Sequence, residues 1–373
     1  MPVDYVIIGA GMFGGVFARQ MADAGRSVLL VDRRHHIGGN CYSEPVDGID
    51  IHRYGPHIFH TDNERVWRFV NRFTKFNHYR HRGVVRSGQR MFSFPINLLT
   101  LHQLWGVSTP QEAEQRLASV REPMEAPNNL EEWALSQVGR ELYETFVRGY
   151  TTKQWDRDPR ELPAAILRRI PIRLTWDDSY FSDTYQGIPT DGYTRLFENL
   201  LDHPAIQMET GVDFFAHRAE LRSAGRRLVF SGMIDQFFDY RFGALEYRSL
   251  RFETERLAGD FQGAAIVNHA DSQLPYTRTV EHKHFAMQAS DRTVITREFP
   301  QKYEPGGEAF YPIGDKTNDA LHRRYRALAE SEEADVIFGG RLGSYRYYDM
   351  HQVIAQALHL AEREITGKRR HAA

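Results

Sequence analysis

The sequence predicts an α/β fold: a parallel, helix-covered domain assembled from separate stretches of chain, a helical insertion, and an antiparallel β-sheet region. Three observations predict it. A strand, glycine turn, helix and second strand open the chain between Asp4 and Asn40. Helix-start signals without strand patterning fill the stretch from Asn97 to Arg169. Short alternating segments crowd Ile206 to Phe299, before a last buried strand and helix.

The opening unit is the most informative. Tyr5 to Ile8 is an apolar run that reads as a buried strand, and Gly9, Gly11 and Gly14 follow it in GxGxxG spacing. A helix pattern runs from Gly14 to Ala24 and stops at Gly25; Ser27 to Val31 is a second strand, with Asp32 at its carboxyl end. In such a Rossmann-like unit Gly9 permits the tight turn, Gly11 lets a pyrophosphate approach the backbone, and Gly14 lets helix and strand pack closely. The free amides and positive dipole end of the helix then face the phosphates. Asp32 stands 18 residues after Gly14, near the offset at which a carboxylate reaches an adenosine ribose. Gly38 and Gly39 add a second loop at which backbone passes close to the same dinucleotide.

Farther on, Ile49 to Tyr54 reads as a short strand. Thr61 to Glu64 has the T-x-x-E form of a capping box, and Val66, Trp67, Phe69, Val70 and Phe73 follow at helical spacing. Tyr79 to Phe94 alternates, with Gly83 and Gly88 as turn signals, and reads as a hairpin. Thr109-Pro110 with Glu112, and Asn129 with Glu132, mark helix starts; an amphipathic run continues through Trp133, Leu135, Val138, Leu142 and Phe146. Pro171 to Thr190 is a loop, and helix signals return at Tyr193 to Leu201. The segments QMETGV, RLVFSGM, RSLRFET, AAIVNH, YTRTVEHKHF and TVITREF predict closely spaced antiparallel strands. Val336-Ile337-Phe338, ending in Gly339-Gly340, with a helix from Met350 to Ile365, returns to the first sheet. The expected domains are therefore 1–78 with 190–240 and 315–373, the insertion 97–170, and a sheet and substrate-loop region of 79–96, 171–189 and 241–314.

Composition narrows the function. With 47 Lys plus Arg against 49 Asp plus Glu, the near-neutral chain lacks the basic surplus of a nucleic-acid coat or polybasic membrane surface. No apolar run reaches membrane-spanning length, and the first strand begins within four residues of the start, so a cytoplasmic location is expected. Cys41 alone excludes an internal disulfide and a cysteine zinc cluster, and it reads as a small core residue rather than a reactive thiol. His35-His36 and His282/His284 lack the spacing of a closed metal site, so no metal is expected.

The fingerprint alone admits NAD or FAD. No second strand-GxGxxG-helix follows, and Gly38-Gly39 with the late FGGRLGSY resemble flavoproteins of the glutathione reductase type, which favours FAD. The inner motifs are more specific. GAGMFGG, DRRHHIGGN, YGPHIFHT, FPIN, GYTTKQW, ELPAAILRRIP, YQGIPTDGY, PYTRTVEHKHF and GRLGSYRYYDM, in order along nearly the whole chain, resemble the motifs of prokaryotic UDP-galactopyranose mutases. The resemblance implies a homodimeric cytoplasmic flavoprotein. Its activity would be that of an isomerase interconverting UDP-galactopyranose and UDP-galactofuranose without net redox, by attack of reduced FAD N5 on the anomeric carbon. Two other classes share the opening unit or the pocket: a flavin oxidoreductase such as an amine oxidase, which would consume an electron acceptor, and an inert nucleotide-sugar binder.

Residue by residue, the resemblance implies Arg169 and Arg278 as the pair that holds the diphosphate, for which the planar guanidinium fork is well shaped. Arg168 and Arg173 are the substitutes for Arg169 if the register differs, and Arg248 is a weaker candidate. Phe146 and Tyr150 match uridine contacts; Thr151 is a further substrate-binding candidate; Trp155 and Tyr180 match residues enclosing the sugar; Asn268, Tyr311 and Tyr347 match polar groups of the pocket. His57 matches a histidine beside the flavin, in a positioning role rather than as an acid or base, and His60 is structural. Arg341 is expected near both flavin and phosphate. The expected cofactor contacts are Gly9, Gly11, Phe13, Gly14, Asp32, Arg33, Gly38, Gly39, Asn40, His57, Gly340, Arg341, Asp349 and Met350. The segment from Arg169 to Gly192 is expected to act as a lid drawn over the nucleotide sugar.

Overall fold

A computed structural model describes residues 2–168 and 172–367. Its five-stranded parallel sheet runs in the order Val336–Phe338, Gly225–Phe230, Val3–Ile8, Val28–Asp32, Ile206–Thr210. Tyr5 and Ile7 point to one face, where the helices Met12–Asp23, Gly192–Leu201 and Met350–Thr366 bury Phe13, Phe17, Phe197 and Ile354. Val6 and Ile8 point to the other, against Phe230, Phe237 and Tyr325, the last from the helix Lys316–Glu332. With both faces covered, the central strands must be apolar at successive positions, which is why Val28 to Asp32 is buried throughout.

QMETGV and RLVFSGM thus belong to this parallel sheet and not to an antiparallel one. Short spacing misled because the helix between them, Arg218–Ala224, is only two turns long. Leu228-Val229-Phe230 carried the contrary signal, an unbroken apolar run. Ile206–Thr210 is an edge strand with Met208 45 % exposed, so it lacks that mark.

The second sheet has seven strands, in the order Tyr311–Pro312, Tyr247–Ala258, Arg292–Lys302, Arg278–Glu281, Ile266–His269, Gly83–Ser87, Arg90–Phe94. All pairs are antiparallel except Ile266–His269 with Gly83–Ser87, which is parallel. The predicted hairpin is therefore the outer edge of this sheet.

In the helical region Thr109 and Asn129 cap the helices Pro110–Val120 and Leu130–Leu142, as their side chains dictate. The amphipathic run beyond Asn129 is broken at Gly139, which takes φ +76° and ψ 174°; a Cβ there would meet Val120 O at 2.2 Å. A π-helical turn, Tyr143–Arg148, follows before Gly149–Trp155. The capping box expected at Thr61 is displaced. Asn63 caps Glu64–Val70, accepting from Val66 N at 3.2 Å, while Thr61 ends the strand Phe59–Thr61 and accepts from Asn63 N. The helix begins at Glu64, directly after Asn63, so Asn63 takes the cap and Thr61 stands two residues outside it.

Arg169 lies outside the described residues. Beyond it, Arg173 N donates to Ile96 O at 3.0 Å, Tyr180 N to His81 O at 2.8 Å, and Tyr185–Gly187 pairs with Phe59–Thr61. Among the described residues no helix is long and apolar enough to cross a membrane.

Candidate active site

The opening turn shapes one cleft. Gly9 takes φ +105°, and Gly11 caps the helix Met12–Asp23 without a side chain, so the first-turn amides face the opening. A Cβ on Gly14 would lie 1.9 Å from Gly9 O, which identifies it as the helix–strand contact. The second glycine loop comes so close that a Cβ on Gly39 would stand 2.9 Å from Gly11 Cα. Asp32 Oδ2 accepts from Ala10 N at 2.7 Å and Oδ1 from Arg34 N at 2.9 Å, leaving each oxygen a lone pair for a hydroxyl donor. Phe13, Arg33, Gly38, Asn40, Gly340 and Met350 line the same cleft, as does Ser231, which sequence reasoning missed. These features fit FAD: a bare-backbone cradle that side chains would fill, helix amides for the pyrophosphate, and a fixed carboxylate for the ribose.

A second cavity adjoins the first, and the two share Asn40, His57, Phe310, Arg341 and Met350 as walls. Into it come Phe146, Tyr150, Thr151 and Trp155 from the helical region, Tyr180 from the loop, and Asn268, Arg278, Tyr311 and Tyr347 from the sheet and the last loop. Of the predicted substrate residues whose placement is described, only Arg248 is absent from these walls. It stands opposite Tyr311 on the same face of the sheet, but its guanidinium is buried and taken up by the backbone of the helical region, with Nε donating to Gln154 O at 3.0 Å. Of the substitutes for Arg169, Arg168 is exposed and Arg173 donates to Ser179 O.

Arg278 is the centre of this cavity's polarity. Its Nη2 donates to Tyr150 OH at 2.8 Å, and its Nε stands 3.2 Å from Glu298 Oε2, out of line for a hydrogen bond. Burial works against the Arg278 charge, but Glu298 and the phenols of Tyr150 and Tyr311 outweigh it and hold the group well above the ordinary arginine value. Burial pushes the Glu298 carboxyl up, against the pull of Arg278. Glu298 was not foreseen: a lone acid in an alternating strand reads as solvent-facing. Tyr311 and Tyr347 stack at 5.2 Å, and the Arg341 guanidinium lies 5.4 Å from each ring. Arg341 is held by the carbonyls of Tyr348 and Phe310, so its position is set by backbone. Asp349 lines the cavity and caps Met350–Thr366, its N–H donating to Gln352 Oε1 at 2.9 Å.

Arg33 and Arg34 both pair with Glu308, at 2.7 and 2.6 Å, and Arg34 lies 4.2 Å over the Tyr54 ring. This junction was invisible in sequence, since its partners are far apart in the chain. The one carboxylate–imidazole trio among the described residues is Asp260, Glu281 and His284. Its oxygens are already engaged: Glu281 accepts from Phe261 N, Gln262 N and Thr293 Oγ1, and Lys283 Nζ sits 3.0 Å from Asp260.

His57 Nδ1 lies 2.9 Å from Gly55 O, and since a carbonyl only accepts, Nδ1 carries the proton. Burial, reinforced by Arg341 and opposed by the Gly55 bond, lowers its pKa to about 4, so the ring is neutral at pH 7. Burial likewise lowers His81 and His282 to about 3, and His269 and His322 to about 4. These rings titrate near 6.5 once the chain unfolds. Between that value and their folded values the unfolded chain binds more protons, so stability falls as the pH falls. Urea midpoints measured from pH 8 downward should hold level to about 6.5 and then decline steadily toward pH 4. A level midpoint down to pH 4 would show that the rings are not kept neutral by the fold.

Comparison with known proteins agrees with this geometry. The profile of the family described as UDP-galactopyranose mutase matches residues 145–347, and that of the NAD(P)-binding Rossmann-like domain matches residues 7–73. The chain is 42 % identical over 364 residues to a probable UDP-galactopyranose mutase of Klebsiella pneumoniae, covering 96 % of this chain and 94 % of the relative. It is 40 % identical over 366 residues to a dTDP-fucopyranose mutase of Escherichia coli, covering 96 % and 97 %. A crystal structure of reduced UDP-galactopyranose mutase superposes with a TM-score of 0.77 at 15 % identity, over 98 % of this chain and 94 % of that one, which supports the fold. Matched over residues 145–347 by the family profile and 42 % identical to a relative over 96 % of its length, this FAD-binding chain belongs to the UDP-galactopyranose mutase family.

Proposed function

We propose that the protein interconverts UDP-galactopyranose and UDP-galactofuranose, with Arg278 holding the diphosphate. The observation that carries this reading is the charged Arg278 in a cavity that shares five walls with the dinucleotide cleft. A ring contraction involves no net oxidation, and bound, reduced FAD supplies a nucleophilic nitrogen for the anomeric carbon.

The chain's own residues do the rest. Arg278, fixed from one side by Tyr150 OH and from beneath by Glu298, stabilises the negative charge of the departing nucleotide without having to reorganise. Arg169, outside the described residues, completes the pair. Phe146 is braced edge-on by Phe92 at 5.1 Å and, with Tyr150, offers a flat surface for the base. Trp155 and Tyr180 exclude water from the sugar. Tyr311 and Tyr347 present hydroxyls while their stacked rings brace each other and Arg341. His57, neutral and donating to Gly55 O, orients the loop between the two cavities and transfers no proton.

The test is incubation of the purified yellow protein with UDP-galactofuranose, with and without dithionite, and chromatographic separation of the two ring forms. Conversion only after reduction is the expected result. Stoichiometric oxygen consumption would favour an oxidase, and binding without conversion an inert protein. A parallel arm with dTDP-fucopyranose decides the sugar nucleotide, and a higher kcat/KM for it would transfer the assignment to that substrate.

A further inference from the structure

Behind the flavin-side loop lies a line of buried imidazoles that the mechanism above leaves unused. His52, at the end of the strand Ile49–His52, accepts the His57 peptide N–H at Nδ1, 3.1 Å away. Its own peptide N–H donates to His282 Nδ1 at 3.2 Å, and His282 Nε2 lies 2.9 Å from Thr296 Oγ1. His52 also lies flat on Phe285, ring centres 4.8 Å apart and planes 2° apart.

These contacts fix the tautomers. A nitrogen that accepts a peptide N–H carries no proton, so both rings are protonated at Nε2, and His282 donates to Thr296. The Nε2 of His52 is buried and has no partner. An imidazole held where one nitrogen goes unpaired is a costly way to fill space, since phenylalanine would stack on Phe285 without an orphaned polar atom. The nitrogen that does have a partner is therefore the one the site needs. The line also joins the functional parts. His282 directly follows the strand Arg278–Glu281, Thr296 is two residues before Glu298 on the neighbouring strand, and His57 lines both cavities.

We propose that His52 and His282 are positioning residues: through their Nδ1 lone pairs they hold the His57 peptide, and with it the wall between cofactor and substrate, in fixed relation to the strands that bear Arg278 and Glu298. The proposal rests on the FAD-dependent reading above. Neither ring touches the reacting atoms. Burial lowers both pKa values, so the lone pairs stay available down to acid pH.

Three variants separate the acceptor from the ring. In His52→Asn the amide oxygen stands near the place of Nδ1 and keeps the bond. In His52→Phe the stacking on Phe285 stays and the acceptor is lost, and His282→Phe removes the second acceptor in the same way. The Asn variant should retain the wild-type flavin absorption spectrum and kcat. The two Phe variants should bind FAD with a shifted spectrum and lose about 10- to 100-fold in kcat at nearly unchanged KM. Nitrogen NMR of histidine-labelled protein supplies a readout independent of turnover, with an unprotonated Nδ1 expected at both residues. Phe variants with wild-type kcat and spectrum would overturn the proposal, as would an Asn variant as impaired as Phe or a proton on Nδ1 of His52. Should His52→Phe fail to fold, His282→Phe and the tautomers still decide. If no UDP-sugar is turned over at all, the spectra and tautomers test this inference separately from the proposed function.

Discussion

Replacing Arg278 by alanine should lower kcat/KM by about 30- to 5000-fold, the equivalent of roughly 2 to 5 kcal/mol for truncating one partner of a buried charge pair. The same change should destabilise the fold. Glu298 is sealed at 2 % exposure, whereas Arg278 keeps 26 % open toward the cavity, so the acid is the group left without compensation. Breaking a buried pair from one side costs about 3 to 5 kcal/mol, and the open face of Arg278 places the cost at the lower end. Adding Glu298→Gln to Arg278→Ala separates the two effects. The urea midpoint should recover, because a neutral amide replaces the stranded charge, while kcat/KM should not. Recovery of turnover in the double variant would show that Arg278 acts on the fold and not on the diphosphate.

Gly14→Ala should yield protein that purifies without flavin. The added Cβ would stand 1.9 Å from Gly9 O, and a backbone carbonyl inside the turn that faces the pyrophosphate has nowhere to go without opening the cradle. Overpacking of this kind costs about 1 to 3 kcal/mol, and it falls on the one turn that FAD requires. Gly15→Ala is the control. Its Cβ would meet only side chains, Leu200 at 3.2 Å and Phe197 at 3.5 Å, which have room to rotate. Absorbance near the flavin band per polypeptide, after gel filtration, distinguishes the two. Equal flavin content in both would remove Gly14 from the cradle.

Those two residues also mark what was legible in the sequence. Gly14 acts through a fixed offset from a strand and a turn, and such local chemistry can be read directly. The same holds for Thr109 and Asn129, whose caps need only the next turn of helix. Arg278 was reached by motif resemblance, and its partner Glu298 was not, because a carboxylate in an alternating strand looks the same whether it faces water or a guanidinium. The Arg34–Glu308 pair and the His57–His52–His282 line join residues hundreds of positions apart, and no window of sequence contains both ends. Arg248 stands on the expected face of its strand, and what takes it from the walls is the Gln154 carbonyl, 94 positions away in the chain. Parallel against antiparallel pairing around Ile206 depended on a short connecting helix that strand spacing concealed.

The parallel sheet has a temporal consequence. Val3–Ile8 lies between strands that begin at Val28 and Gly225, and Gly225–Phe230 in turn waits for Val336–Phe338. At about 5 to 20 residues per second, a ribosome delivers that last strand roughly 15 to 70 s after the first. Gly340 and Arg341, which close the cleft, emerge just behind it. For that whole interval the nascent chain carries an apolar strand with one neighbour missing, and the cofactor has no finished seat, so flavin capture belongs to the end of synthesis and the early chain must be shielded until then.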